Sequence, residues 1–188
     1  MVITTVLMAK SDIRIRACLP GDEGALALVG QATFLETFAD VLEGSNILKH
    51  CANAHSIECY RSWLADSRYK LWLAEISPGQ APVGYMVISP AELPLADISL
   101  RDYELKRIYV FSKFQGNGLG RRMLQEAIAA VRSFGAERLL LGVYVRNHAA
   151  IGFYTHMGFR KLGYRKFNMG GQECDDYIMG LMLRDSGE

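Results

Sequence analysis

QGNGLG, residues 115–120, stands between a stretch typical of a β-strand and a stretch typical of an α-helix. The strand is predicted over residues 103–111 and the helix over residues 119–134. Glycines at such a junction allow backbone conformations that other residues avoid, and they let the chain approach a ligand closely. The first free N–H groups of the helix and its dipole favour a phosphate there. The sequence therefore predicts a cradle for a diphosphate.

Other phosphate-binding patterns fit this stretch less well. A P-loop requires a Lys-Ser or Lys-Thr pair after the glycines, and none follows. A Rossmann fingerprint requires a further glycine where Arg121 stands, and its acidic residue would be Glu137, which follows the predicted helix rather than a strand. A plain glycine turn stays open for these residues taken alone. Arg121 and Arg122 either add positive charge to the cradle or face solvent.

The hydrophobic pattern on both sides of the stretch predicts a three-layer α/β (α+β) fold. Its central sheet is expected to be mixed and mainly antiparallel, with about seven strands and with helices on its flanks. Asp22 is the expected N-cap of the first helix. Strands are predicted at residues 12–17, 69–76, 83–88, 103–111, 139–145, 159–167 and 177–183, and helices at residues 22–39, 46–65, 119–134 and 147–156.

Length and composition predict a single domain in residues 11–188, because 188 residues of which 50% are hydrophobic can bury one sizeable core. Residues 1–10 are expected to form a poorly ordered N-terminal extension, and either Met1 or Met8 is the true start. The 21 basic and 20 acidic residues leave no charge excess that would attract nucleic acid or a membrane surface. No apolar run reaches the ~18 residues that a membrane span requires.

Cysteine and histidine residues provide no sign of disulfides or of a metal site. The 4 cysteines form no CxxC pair, which favours free thiols in a reducing compartment and predicts a cytoplasmic location. His50 and His55 lie on one predicted helix at a spacing that is expected to place their imidazoles on different faces. The sequence therefore predicts no metal.

The glycine stretch has the form Gln-x-x-Gly-x-Gly after a strand, which resembles the cofactor signature of the GNAT superfamily of N-acetyltransferases. A second motif follows it along the chain. The resemblance covers residues 103–159 and implies an acetyl-CoA-dependent N-acetyltransferase. The later stretch is similar to the second signature segment of that superfamily at Val145, Asn147, Ala150, Phe153, Tyr154, Gly158 and Phe159.

The resemblance implies how acetyl-CoA, the expected co-substrate, is bound. The main chain of Ile108, Tyr109 and Val110 would pair with the pantetheine arm like an added strand. The parallel strands at residues 103–111 and 139–145 would therefore splay apart, commonly with a bulge. The diphosphate would be held by Gln115, Gly116, Asn117, Gly118, Leu119 and Gly120.

The expected reaction is direct attack of a neutral primary amine on the thioester carbonyl. Asn147 would hydrogen-bond the cofactor arm, and the N–H of Val110 would stabilise the developing oxyanion. Tyr154 would face the sulfur and act as general acid, because a tyrosine stays protonated at neutral pH. Glu104 is the first candidate for the general base, and its alternative is a strand residue paired with Lys106.

The acceptor is expected to be a small-molecule amine. Glu36 and Asp40 lie one helical turn apart and could attract a cationic substrate. Residues 33–38 resemble the first helix of bacterial polyamine (spermidine/spermine) acetyltransferases within the superfamily, which implies a polyamine or a similar amine. A homodimer stays open, since dimers are common in such families. The alternative function is a non-catalytic module that binds acetyl-CoA as a sensor or within an assembly.

Overall fold

The computed structural model describes residues 12–183, so the expectations for residues 1–10 and for a start at Met1 or Met8 lie outside the described residues. The described chain folds into strands and helices that alternate around one sheet. In chain order these are β1 (Ile13–Ala17), α1 (Glu23–Phe38), α2 (Gly44–Ala54), α3 (Ile57–Ala65), β2 (Lys70–Ile76), β3 (Ala81–Pro90), β4 (Asp102–Val110), a 3-10 turn (Ser112–Phe114), α4 (Leu119–Ser133), β5 (Arg138–Tyr144), α5 (His148–His156), β6 (Arg160–Met169) and β7 (Gln172–Met182).

The strands form one 7-stranded sheet with the order β1-β2-β3-β4-β5-β7-β6. β4 and β5 are parallel, and the other neighbouring pairs are antiparallel. α4 and α5 pack on one face of the sheet, and α1, α2 and α3 pack on the other. The predicted three-layer fold with a mixed, mainly antiparallel sheet is confirmed. Within residues 12–183, every helix is too short or too polar to cross a membrane.

The helix that follows the glycine stretch forms for the reason that its sequence pattern predicts. Met123, Leu124, Ala127 and Val131 recur at helical spacing and are fully buried against the sheet. Gly135 adopts a φ of 74° just beyond the helix, a conformation that glycine tolerates best. α4 is thus held by one apolar stripe, which fixes its N-terminus beside the end of β4.

The single helix predicted over residues 46–65 is wrong. The chain forms two helices there, and the break falls at His55 and Ser56. Ser56 has an extended backbone, and its hydroxyl accepts a hydrogen bond from the N–H of Cys59 at 3.1 Å, which caps α3. A serine cap within an otherwise continuous apolar pattern therefore turns the chain.

Two smaller predictions also differ from the structure. Asp22 occupies the predicted N-cap position of α1, but its side chain makes no capping hydrogen bond; its carboxylate accepts two hydrogen bonds from Arg16 instead, at 2.7 and 2.9 Å. The last strand begins at Gln172 rather than at residue 177. Gly170 and Gly171, with φ of 68° and 116°, make the predicted hairpin turn tight enough for β7 to start directly after it.

The two parallel strands at the centre of the sheet pair along only part of their length. Pairing joins residues 102–104 of β4 to residues 138–140 of β5 and then stops. Beyond Glu104 the rest of β4 pairs with β3 alone, and the rest of β5 pairs with β7 alone. A bulge leaves Lys106 without a partner in β3 at the place where the two strands begin to separate. The predicted splay is confirmed, and we call the space between the diverging ends the gap.

Candidate active site

The loop before α4 leaves a run of backbone N–H groups unpaired. Gly116 and Gly118 have φ of 77° and 78°, in the left-handed region that favours glycine. A Cβ atom at either position would meet no atom within 4 Å, so conformation rather than packing requires glycine. Within residues 12–183, nothing accepts a hydrogen bond from the N–H groups of residues 118–121. These groups form an anion nest at a helix N-terminus, which suits a diphosphate.

Gln115 has a role in this loop that the sequence does not reveal. Its side-chain Nε2 donates to the carbonyl oxygen of Val110 at 2.8 Å, and its backbone N–H donates to the oxygen of Ser112 at 3.0 Å. Both kinds of donor are therefore engaged within the protein. Gln115 ties the anion nest to the end of β4, and its direct contact with a diphosphate stays a prediction.

The open edge of β4 presents backbone N–H groups to the gap. The N–H of Phe111 donates to the oxygen of Val83 at 3.0 Å and so points toward β3. Because N–H groups alternate in direction along a strand, those of Ile108 and Val110 point the opposite way, into the gap. The N–H of Tyr109 faces β3. Two of the three residues expected to pair with a pantetheine arm therefore offer their N–H groups there.

Tyr154 lies on α5 with its ring buried beside the gap. The rings of Phe153 and Phe159 lie 5.3 and 5.6 Å from it, centroid to centroid, and Val110 belongs to the same apolar cluster. Burial, with a smaller contribution from Tyr109, raises the pKa of Tyr154 above its usual range. Among residues 12–183 its hydroxyl has no hydrogen-bond partner. A protonated and unengaged hydroxyl at this place can donate a proton to a ligand.

Asn147 caps α5 and keeps a donor free. Its Oδ1 accepts a hydrogen bond from the N–H of Ala150 at 3.1 Å, which satisfies one of the first N–H groups of the helix. The amide Nδ2 has no acceptor within the described chain. The same side chain can therefore cap the helix and donate to a ligand at the end of β5.

The two acidic residues expected to bind the substrate lie on opposite sides of the gap opening. Glu36, on α1, accepts hydrogen bonds from the N–H and the hydroxyl of Ser112, at 3.0 and 2.7 Å, just beyond β4. Asp40 lies beyond the end of α1 and lines a cavity of about 620 Å³ together with Tyr144 and Asn147, at the end of β5. The structure brings Asp40 next to the cap of α5, whereas Glu36 is engaged by the chain after β4.

Glu104 stands where the pairing of β4 with β5 ends, and its side chain is 6% exposed. One carboxylate oxygen lies 3.5 Å from Nζ of Lys106, and the other lies 3.7 Å from Nη1 of Arg165. The pairing with Lys106 is the alternative that the sequence suggests, and Arg165 is an addition. Two cations compete for the lone pairs of this carboxylate, which makes it less available as a base.

Arg165 and Asp176 form part of the gap, although the sequence does not single them out for it. Arg165 on β6 donates from Nε to Asp176 on β7 at 3.1 Å, and its guanidinium lies against Gly142 of β5, where a side chain would collide with it. Burial raises the pKa of Asp176, and the ion pair with Arg165 opposes that shift. The alternating pattern of β7 would have indicated Asp176 as an inward residue if the start of the strand had been known.

The expectation that His50 and His55 point to different faces of one helix is wrong. α2 ends at Ala54, so His55 lies beyond it and its ring turns back to within 5.4 Å of the His50 ring, centroid to centroid. Nevertheless, residues 12–183 contain no cluster of three or more His, Cys, Asp or Glu side chains that could hold a metal ion.

The mixed sheet that opens between two parallel strands, followed by an anion nest at the next helix, defines an α/β protein with a site suited to a diphosphate-containing ligand. The chain belongs to the acetyltransferase (GNAT) family, whose model matches residues 37–159. An uncharacterised N-acetyltransferase of Mycobacterium tuberculosis is 34% identical over 79 residues, which cover 42% of this chain and 51% of that protein. The N-alpha-acetyltransferase RimI of the same species is 36% identical over 87 residues, covering 46% of this chain and 51% of that protein.

The chain spans about half the length of the curated relatives it matches. Solved structures are similar over nearly the whole fold. The PaiA N-acetyltransferase of Thermoplasma acidophilum, in complex with coenzyme A, has a TM-score of 0.71 at 19% identity and covers 91% of this chain and 99% of that one. A ribosomal-protein-alanine N-acetyltransferase of Brucella melitensis has a TM-score of 0.67 at 25% identity, with coverage of 90% and 99%. These matches support the GNAT fold and leave a polyamine branch unsupported.

Proposed function

We propose that this protein binds acetyl-CoA and transfers its acetyl group to a primary amine. The observation that carries the proposal is the alignment along one gap of the anion nest at residues 118–121, the open edge of β4 and the unpaired hydroxyl of Tyr154. When bound, acetyl-CoA supplies a thioester, which is an activated acyl donor. The relatives named above are N-acetyltransferases, and that supports the same reaction here.

Different residues around the gap would bind different parts of acetyl-CoA. The N–H groups of residues 118–121 and the dipole of α4 would hold the diphosphate. The N–H of Ile108 and the free Nδ2 of Asn147 would bond to amide oxygens of the pantetheine arm. These contacts would direct the thioester between the ends of β4 and β5, beside Tyr154.

The residues at the end of the gap would then assist acyl transfer. As the neutral amine nitrogen bonds to the carbonyl carbon, the N–H of Val110 donates to the carbonyl oxygen, where negative charge develops; one such donor contributes ~3 kcal/mol. When the carbon–sulfur bond breaks, Tyr154 donates its proton to the sulfur. The proton that the new amide nitrogen loses restores the tyrosine, so the products are an amide and a neutral thiol.

The amine must lose its ammonium proton first, because its pKa of ~10 leaves it protonated at neutral pH. Glu104 stays the candidate general base, although Lys106 and Arg165 already contact its carboxylate. A chain of ordered water is the alternative route for this proton.

Two acidic residues bear on the identity of the acceptor. A polyamine acceptor rests on Glu36 and Asp40, of which Glu36 is already engaged by Ser112. A small primary amine is the class that the proposal requires. The cytoplasmic location, the homodimer and the absence of a metal stay predictions from the sequence.

The proposal is tested by two measurements on the purified chain. Calorimetry with acetyl-CoA measures binding, and a thiol reagent measures release of coenzyme A in the presence of a panel of primary amines. We expect binding, and thiol release that depends on the amine. Tight binding with no release for any amine would favour the non-catalytic module, which the unengaged hydroxyl of Tyr154 disfavours, and absence of binding would contradict both.

A further inference from the structure

Arg107 is a partly buried cation on the open segment of β4. Its guanidinium lies over the ring of Trp63 at 4.6 Å and over the ring of Tyr60 at 5.4 Å from the centroids. Nη1 donates to the hydroxyl of Tyr60 at 2.9 Å and lies 3.4 Å from Nδ1 of His55. Within residues 12–183, no carboxylate pairs with Arg107. Its partners are therefore aromatic rings and neutral polar groups.

The other partly buried arginines of the described chain differ from Arg107 in this respect. Arg16, Arg138 and Arg165 each bind a carboxylate, at 2.7, 2.6 and 3.1 Å. Withdrawing a charge from water is unfavourable unless an opposite charge and hydrogen bonds offset the loss. The fold supplies that opposite charge to these three arginines and withholds it from Arg107, which stands on the segment of β4 that no longer pairs with β5.

The groups around Arg107 hold it in position and carry no negative charge that would pair with its guanidinium. The hydroxyl of Tyr60 accepts from Arg107 and donates to Nδ1 of His55 at 2.9 Å. Burial, and then the charge of Arg107, lower the pKa of His55 to about 2, so this imidazole is neutral and can only accept or donate a hydrogen bond. Gly30 of α1 gives these two side chains room, because a Cβ atom there would overlap both of them.

Arg107 lies on the side of the gap from which an acceptor must approach. The anion nest, Val110 and Tyr154 belong to the face of the sheet that α4 and α5 cover. Tyr60, which binds Arg107, belongs to the cluster on the opposite face, with α1 and α3. With the donor held on the α4 side, the amine reaches the thioester from the side of Arg107.

We propose that Arg107 binds a carboxylate of the acceptor, so that the substrate is an amine that also carries a carboxylate. This inference rests on the proposed acetyl transfer and narrows its acceptor. A guanidinium fork binds a carboxylate through paired, charge-assisted hydrogen bonds. The same charge repels a free polyamine, which has no anionic group to offer.

The position of Arg107 along β4 favours an acceptor with a long spacer between its amine and its carboxylate. Its Cα and that of Val110 are three residues apart on one strand, a distance of ~10 Å. An α-amino acid, whose two charged groups are separated by a single carbon, is short for this span. An acceptor with several bonds between amine and carboxylate fits it better, such as an ω-amino acid or the N-terminal amine of a short acidic peptide.

The test compares matched acceptors with the acetyl-CoA-saturated protein. The acids are glycine, β-alanine, 4-aminobutyrate and 6-aminohexanoate, and each is paired with the alkylamine of the same chain length that lacks the carboxylate. We expect kcat/KM for the longer acids to exceed that of their partner amines by ~10-fold or more, the usual size of a charged hydrogen-bonded pair. Arg107→Gln should remove this preference through KM and leave the alkylamines within ~3-fold, and Arg107→Lys should keep part of it. Arg132→Gln, on the exposed side of α4, is the matched loss of charge.

The outcomes that would overturn this inference can be told apart from those that would contradict the proposed function. Equal use of acids and alkylamines, a preference that survives in Arg107→Gln, or acetylation of alkylamines alone would overturn it while acetyl transfer stands. Failure of every acceptor in the presence of bound acetyl-CoA would overturn it as well. Absence of acetyl-CoA binding, which is measured before any acceptor is added, speaks against the proposed function itself, and binding without transfer to any amine, alkylamines included, favours the non-catalytic module.

Discussion

β4 and β5 are neighbours in the sheet, but the two ends of this strand pair are held together differently. At the closed end Asp102 and Arg138 face each other in register, and Arg138 donates to both carboxylate oxygens, at 2.9 and 2.6 Å. At the open end, beyond Glu104, the strands share no pairing and the tie from Gln115 to Val110 satisfies one exposed carbonyl. One end is locked by charge and backbone hydrogen bonds, and the other keeps backbone donors for a ligand.

The difference shows how a sheet can contain a cleft without losing its order. A buried backbone group without a partner is costly, so a gap between strands persists only where side chains, water or a ligand replace the missing ladder. The ion pair at the closed end anchors the two strands close to the place where they separate. Changes at the open end should therefore affect binding or turnover, and changes at the closed end should affect stability.

The largest effect is expected for Tyr154→Phe. Loss of the hydroxyl removes the proton donor for the departing thiolate, which typically lowers kcat by ~10²-fold or more. Because the ring still fills its buried position, affinity for acetyl-CoA should stay within ~3-fold of the parent. Steady-state kinetics and calorimetry measure the two quantities.

Tyr103→Phe is the control for this change, since Tyr103 stands on β4 at the closed end and packs against Phe134. It should keep normal turnover. If Tyr154→Phe retained full kcat with the best amine, Tyr154 would not be the general acid, and a solvent-derived proton would have to replace it.

Asp102→Asn should have the largest effect on stability. The side chain of Asp102 is 1% exposed and that of Arg138 is 14% exposed, so the substitution leaves a nearly buried guanidinium with one carboxylate fewer. Breaking such a pair typically costs ~3 kcal/mol or more of unfolding free energy. Urea unfolding measures it, and kcat of the folded fraction should be unchanged.

The same pair gives the effect a pH dependence. Burial acts to raise the pKa of Asp102, but hydrogen bonds from Arg138 and Ser99 outweigh it and hold the pKa below its usual value of ~3.9. A depressed pKa stabilises the fold above ~pH 4, and that contribution is lost as the pH falls through the folded-state value. The stability difference between the parent and Asp102→Asn should therefore shrink at acid pH. Asp66→Asn, in the exposed pair with Arg68, should change stability little at any pH, because solvent screens such a pair.

A smaller effect is expected when the anion nest is strained. Gly118→Ala adds a methyl group that meets no atom but must adopt a φ of 78°, which costs ~1–2 kcal/mol. Gly135→Ala, at the other end of α4, carries the same strain with a φ of 74° and open space around it. Both should lose similar stability in thermal unfolding, but only Gly118→Ala should weaken acetyl-CoA binding, by ~10-fold. If the two variants bound acetyl-CoA equally well, the nest would not be part of the binding site.

The features that the sequence predicts well are local ones. The glycines of residues 115–120 fix backbone conformations within a few residues, and the apolar stripe of α4 fixes which face is buried. The second motif places Tyr154 on a short helix and Asn147 at the start of that helix, as its N-cap. Even the opening between β4 and β5 is foreseen, because the resemblance links it to the glycine stretch.

The features that escape prediction depend on contacts distant in sequence. Arg107 lacks a carboxylate because Tyr60 and Trp63, from a helix more than 40 residues earlier, occupy the space around it. The break at Ser56 was hidden by a continuous apolar pattern, although a serine before Glu58 is a helix-start signal. Once that break is missed, His55 is assigned to the wrong side of the helix and its contact with Arg107 cannot be inferred.

The smallest effect separates the two roles of Asn147 at the open end. Its Oδ1 caps α5 and its Nδ2 is free, so one substitution can remove the donor and keep the cap. Asn147→Asp should retain the stability of the parent, because aspartate caps a helix as well as asparagine, but it should bind acetyl-CoA several-fold more weakly. Asn147→Ala should lose ~1 kcal/mol of stability in addition. If Asn147→Asp bound acetyl-CoA as tightly as the parent, the residue would act only as a cap, and the end of β5 would contribute shape rather than a hydrogen bond to the gap.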